Sequence, residues 1–124
     1  MTQTIRSGAR WVWACALALV TWLALRPGVG QEWIVGLDKV LHLAAYAVLC
    51  GLGALAAVRP VWGLVAGLFC HGLIIEGLQS LVPGRESSLG DLLANAAGLG
   101  LGVLVAARCA SRLPGPAAAR RVPR

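Results

Sequence analysis

Four apolar runs decide what this chain can become. They cover residues 11–25, 40–58, 61–81 and 89–107, and the last three have the length that a helix needs to cross hydrocarbon. The first is shorter, but Arg10 and Arg26 flank it, and their stems can lie along the helix and place both charges at the headgroups. Composition agrees, because 58% hydrophobic and 13% charged residues in 124 make a chain too apolar for a soluble domain of this size. The expectation is an all-α integral membrane four-helix bundle over residues 11–107, between a polar arm at 1–10 and a basic, largely disordered tail at 108–124.

The net charge of +6 could suggest a nucleic-acid partner, but the basic residues lie at helix ends and in the tail rather than on one soluble face. Their distribution reads as topology. Arg6, Arg10, Arg59, Arg108, Arg112, Arg120, Arg121 and Arg124 fall on one side of the four spans, and Arg26, Lys39 and Arg85 on the other. Excess positive charge marks the cytoplasmic side, so both termini are expected there. Tryptophans fit the same layout, with Trp11, Trp13 and Trp62 at the inner boundary and Trp22 and Trp33 at the outer one.

Arg6 and Arg10 before an apolar run resemble a secretory signal, yet "LALRPG" offers no small-x-small cleavage site, which favours an uncleaved signal-anchor helix. Pro60 suits the first position of the third helix, and Trp33 and Ile34 suit a loop lying on the membrane. The cysteines, Cys15, Cys50, Cys70 and Cys109, form no close pair and imply no disulfide framework. Cys50 and Cys70 near His71 read as small buried thiols, so neither a metal nor a cofactor is expected. Gly98 and Gly102 make a small-residue stripe that allows a neighbouring helix to come close.

Polar residues are few and sit together. Asp38, His42 and Tyr46 are spaced i, i+4, i+8, Glu76 and Gln79 are three apart, and Asp91 and Asn95 four apart, so three helices each carry a polar stripe at the outer end of their spans. In lipid such stripes turn toward one another. Glu76 lies five residues before Leu81, roughly 7–8 Å below the boundary at about 1.5 Å per residue. A carboxylate at that depth carries function or has a partner, with Arg85, Lys39 and His42 available, and no capping role is open to it. Ser88 and Asp91 also read as a capping box, Asn95 and Gln79 as helix-bridging amides, and Lys39 as an interface anchor. His71 stands alone near the midplane, on another face from Glu76, and reads as structural.

"DKVLHLAAYAVL" followed by "EGLQSLVPGRESSLGDLLANAAGLGLG" resembles the VanZ-like membrane proteins over residues 38–102. Their pattern, D-K-x-x-H with a downstream Tyr, E-x-x-Q, an Arg turn and D-x-x-x-N-x-x-G, falls on Asp38, Lys39, His42, Tyr46, Glu76, Gln79, Arg85, Ser88, Asp91, Asn95 and Gly98. Leu43 stands where an aromatic is common. The resemblance implies a multi-pass protein of the bacterial inner membrane acting on the cell envelope, in a family whose founding member is associated with lowered sensitivity to the glycopeptide teicoplanin.

The leading expectation is an outer-leaflet site binding a lipid, a lipid-linked envelope precursor or a glycopeptide through Arg85, Lys39, Glu76, His42 and Asp91. The alternatives are an intramembrane lipid-modifying enzyme with Glu76 as base and His42 as acid, a small transporter, and a purely structural network. Asp91 is a further catalytic candidate.

Overall fold

The structure, a computed structural model, describes residues 3–27, 36–58, 60–85 and 87–112. They form four helices, α1 (Gln3–Leu25), α2 (Leu37–Leu55), α3 (Val61–Gln79) and α4 (Leu89–Arg112). Each is long and apolar enough to cross a membrane. Successive helices run antiparallel, so α2 lies parallel to α4 and α1 to α3. Call the end holding the α3–α4 turn the far end.

Boundaries differ from the sequence expectation where local chemistry decides. α1 starts at Gln3, inside the expected arm, because no Pro separates 3–10 from the apolar run. α4 continues to Arg112, into the expected tail, and Arg112 in its last turn complements the helix dipole. Pro60 is the N-cap of α3, one position earlier than expected, with φ −51° and ψ 139°. α2 closes when Ala57 takes the left-handed conformation (φ 49°), with Val58 N–H donating to Gly53 O and Ala57 N–H to Ala54 O, both at 3.1 Å. That pair of bonds satisfies the last carbonyls of the helix. The proposed loop contacts of Trp33 and Ile34 and the tail beyond residue 112 lie outside the described residues.

α2 and α4 pack more closely than any other pair. A Cβ on Gly98 would collide with Leu43 O, and one on Gly102 would stand 2.6 Å from Ala47 O. Only glycine lets backbones meet at that distance, so the Gly98/Gly102 stripe holds two helices of the same bundle together. Tyr46, Leu49, Cys50, Leu64, Leu68 and Leu99 fill the core. Cys50 is buried, as expected, while Cys70 is exposed. Large apolar side chains such as Val40, Ile74, Leu93 and Leu104 point outward, the arrangement of a protein whose solvent is lipid.

α1 is peripheral, with no buried residue among those described. Hydrogen bonds hold it along its length. Arg10 Nη2 donates to Ala57 O (3.1 Å), Trp13 Nε1 to Leu49 O (2.9 Å), Gln79 Nε2 to Ala24 O (3.0 Å), and Arg85 Nη2 to Leu23 O (3.0 Å). Trp13 therefore departs from the expected aromatic belt: its indole turns inward over Gly53, whose missing side chain leaves it room. Trp11, Trp22 and Trp62 are exposed, as belt residues are.

Candidate functional site

Three helices deliver their polar stripes to the far end. Asp91 and Asn95, one turn apart on α4, are 4% and 0% exposed, and Glu76 on α3 is 8% exposed. From α2, His42 Nδ1 lies 3.0 Å from Asn95 Oδ1 and 3.9 Å from Glu76 Oε1. A ring nitrogen of His42 and carboxylate oxygens of Glu76 and Asp91 all lie within 4.8 Å of one another.

Backbone geometry explains how the cluster is held. Ser88 caps the start of α4, but its Oγ accepts from Gly90 N–H at 3.1 Å rather than from the Asp91 amide of the expected capping box, which donates to Ser88 O at 3.0 Å. The reciprocal half of the capping box is not made by Asp91. Instead the Ser88 amide donates to Glu76 Oε2 at 3.1 Å. This corrects the expectation that Glu76 has no capping role. α3 ends at Gln79, so Glu76 is in its last turn and reaches across to the next helix. Asp91, released from capping, turns inward.

Lys39 straddles the edge of the cluster. Its Nζ donates to Asp38 Oδ2 at 2.9 Å and stands 3.4 Å from Asp91 Oδ1, with its side chain 46% exposed. Asp38 thus pairs with its neighbour Lys39, whereas the imidazole of His42 is steered by Asn95. Glu76 Oε1 and Asp91 Oδ1 are buried and have no hydrogen-bond donor, and Asn95 Nδ2 has no acceptor.

Two expected members are placed elsewhere. Gln79 is buried but gives its amide to Ala24 O of α1. Arg85 bends the same way, with Nε 3.4 Å from Arg26 O and Nη2 on Leu23 O. Both satisfy carbonyls that the end of α1 leaves open. They fasten α1 rather than line the cluster.

Tyr46 also leaves the cluster, reaching deeper to His71. Its hydroxyl lies 2.9 Å from His71 Nδ1, and His71 Nε2 is 3.0 Å from Thr21 Oγ1. Thr21 donates its own hydrogen to Leu17 O at 2.8 Å, so Thr21 accepts from His71 Nε2–H and Tyr46 donates to Nδ1. His71 is therefore not alone. It is the middle of a hydrogen-bonded chain through α2, α3 and α1, and its expected structural character has a definite form.

Beside that chain, α1 and α3 enclose a groove of about 680 Å³, whose wall includes Leu17, Thr21, Trp22, Arg26, His71 and Ile74. Thr21 and His71 are polar points on an apolar wall. Arg26 lies at the far end, its guanidinium 4.9 Å from the centre of the Trp22 ring. Sequence reasoning missed this groove because the polar motifs it followed lie between residues 38 and 102, outside α1. The signal was Thr21, the one hydroxyl in the middle of the first apolar run, at a depth similar to His71.

No family model, curated protein or solved structure matches the chain.

Proposed function

We propose that this is a VanZ-like protein of the bacterial inner membrane that binds, in the outer leaflet, a lipid or lipid-linked component of the cell envelope. On this reading both termini are cytoplasmic and the far end faces outward. The carrying observation is the convergence of Lys39, His42, Glu76, Asp91 and Asn95, from α2, α3 and α4, with buried Glu76 Oε1 receiving no hydrogen bond from the protein and Asp91 Oδ1 met only by Lys39 Nζ at 3.4 Å. A network serving architecture alone would close those valences, since each open one costs stability.

The α1–α3 groove supports the same reading. Its apolar wall suits an acyl chain, and Arg26 at its far end suits a phosphate or carboxylate of the head. The turn that bears Arg85 and Ser88 links the groove's mouth to the cluster, because Arg85 bonds Arg26 O and Ser88 bonds Glu76. Arg85 enters as the residue that sets this mouth, not as the cation that contacts the head. A glycopeptide that carries a fatty-acyl chain, as teicoplanin does, is an amphiphile of the same kind, so altered sensitivity to it belongs to this proposal.

The test is native mass spectrometry of gently solubilised wild type beside Lys39→Ala and Arg26→Ala, with thermal unfolding followed in parallel. Wild type is expected to retain an envelope lipid that the folded variants lose. A lipid-free wild type, or equal retention in all three, would remove the proposal.

A further inference from the structure

The geometry points to a divalent-cation site: we infer that His42, Glu76 and Asp91 together bind one ion of the Mn2+ or Zn2+ type. This inference does not rest on lipid binding.

The donors are an imidazole nitrogen and two carboxylate oxygens, brought from three different helices to within 4.8 Å of one another. Metal–ligand bonds of about 2.0–2.2 Å require donor separations of roughly 3.0–3.4 Å. The imidazole gives its Nδ1–H to Asn95 Oδ1 and keeps the Nε2 lone pair for an ion, and an outer partner of this kind fixes a ligating ring.

Independent of proximity, the valences point to an ion. Glu76, more than nine-tenths buried, spends Oε2 on the Ser88 amide and leaves Oε1 without a donor. Asp91 Oδ1 accepts no hydrogen bond, and its one cationic partner among the described residues is Lys39 Nζ at 3.4 Å, which Asp91 shares with Asp38. Three carboxyl groups, Asp38, Glu76 and Asp91, face one ammonium, Lys39, among the described residues of the cluster. A divalent cation would hold Glu76 and Asp91 as carboxylates and offset their charge, a balance worth more in a low-dielectric span than at a surface.

The donor set selects the class of ion. Ca2+ takes six to eight oxygens, more than this cluster supplies, whereas one imidazole with two carboxylates suits Zn2+, Fe2+ or Mn2+. Three protein ligands also leave coordination positions open to water or to an anionic group from outside.

Mn2+ is the probe, because it is indifferent to the exposed thiols of Cys15, Cys70 and Cys109. Purified full-length protein with 15N-histidine is titrated with Mn2+ and followed by electron paramagnetic resonance. The expected result is one ion per chain with a coupling to a histidine nitrogen. Both ring nitrogens of His71 are occupied by Tyr46 and Thr21, so that coupling identifies His42. Glu76→Gln and Asp91→Asn are each expected to weaken binding by at least about tenfold. Folded wild type that binds no Mn2+, or binds it without nitrogen coupling, overturns the inference, as does unchanged affinity in both folded variants. If the variants do not fold, the wild-type coupling decides alone.

Discussion

Glu76 in the last turn of α3 accepts the backbone amide of Ser88 at the head of α4, N–H to Oε2 at 3.1 Å. One oxygen therefore caps a neighbouring helix while the other faces His42. Structure and site chemistry are divided between two atoms of one carboxylate, which makes the two roles separable by substitution.

Glu76→Gln keeps an oxygen for the Ser88 amide, and Glu76→Ala leaves that amide open. The alanine variant should lose about 1–3 kcal/mol and the glutamine variant clearly less. Thermal unfolding in detergent, read from tryptophan fluorescence, measures both. An alanine variant as stable as wild type would show that the Ser88 bond contributes nothing.

The glycine stripe predicts a contrast within four residues. Gly98→Ala and Gly102→Ala each drive a methyl into the α2 backbone and should destabilise by about 1–3 kcal/mol or more, whereas Gly100→Ala meets open space and should be neutral or slightly stabilising. Equal melting temperatures for the three variants would mean that α2 and α4 do not touch here.

The hydrogen on His71 is assigned to Nε2. Nitrogen NMR of ring-labelled protein should show Nδ1 as the acceptor, and Tyr46→Phe should remove that bond at a cost of about 0.5–1.5 kcal/mol. A protonated Nδ1 in wild type would reverse the direction of the whole chain from Tyr46 to Thr21.

Arg85→Ala frees the carbonyls of Leu23 and Arg26. Hydrogen exchange should rise at the end of α1 while the middle of α4 stays protected. Uniform acceleration through all helices would contradict the local role given to Arg85.

Spacing made much of this legible. Four apolar runs predicted the four helices, and the offsets of three and four placed His42, Glu76, Asp91 and Asn95 on converging faces, because helical periodicity is a property of sequence alone. What spacing could not supply is the choice of partner. Whether Asp91 closes a capping box or Glu76 does so from another helix depends on the distance between α3 and α4, and whether Gln79 turns to the cluster or to Ala24 depends on where α1 docks. The helix ends were missed for a related reason: residues 3–10 and 108–112 are too polar to signal a span, yet nothing in them stops a helix that is already running.

The fastenings along α1 carry a consequence for how the protein is assembled. In a bilayer, oily side chains gain little by leaving lipid for protein, so α1 has scant thermodynamic pull toward the other helices beyond its discrete polar latches at Arg10, Trp13, Thr21, Leu23 and Ala24. Those latches share one register. Sliding α1 by a single turn, about 5.4 Å, would undo all of them together. α1 is thus a helix that seats in one position or not at all against the pair joined through Gly98 and Gly102.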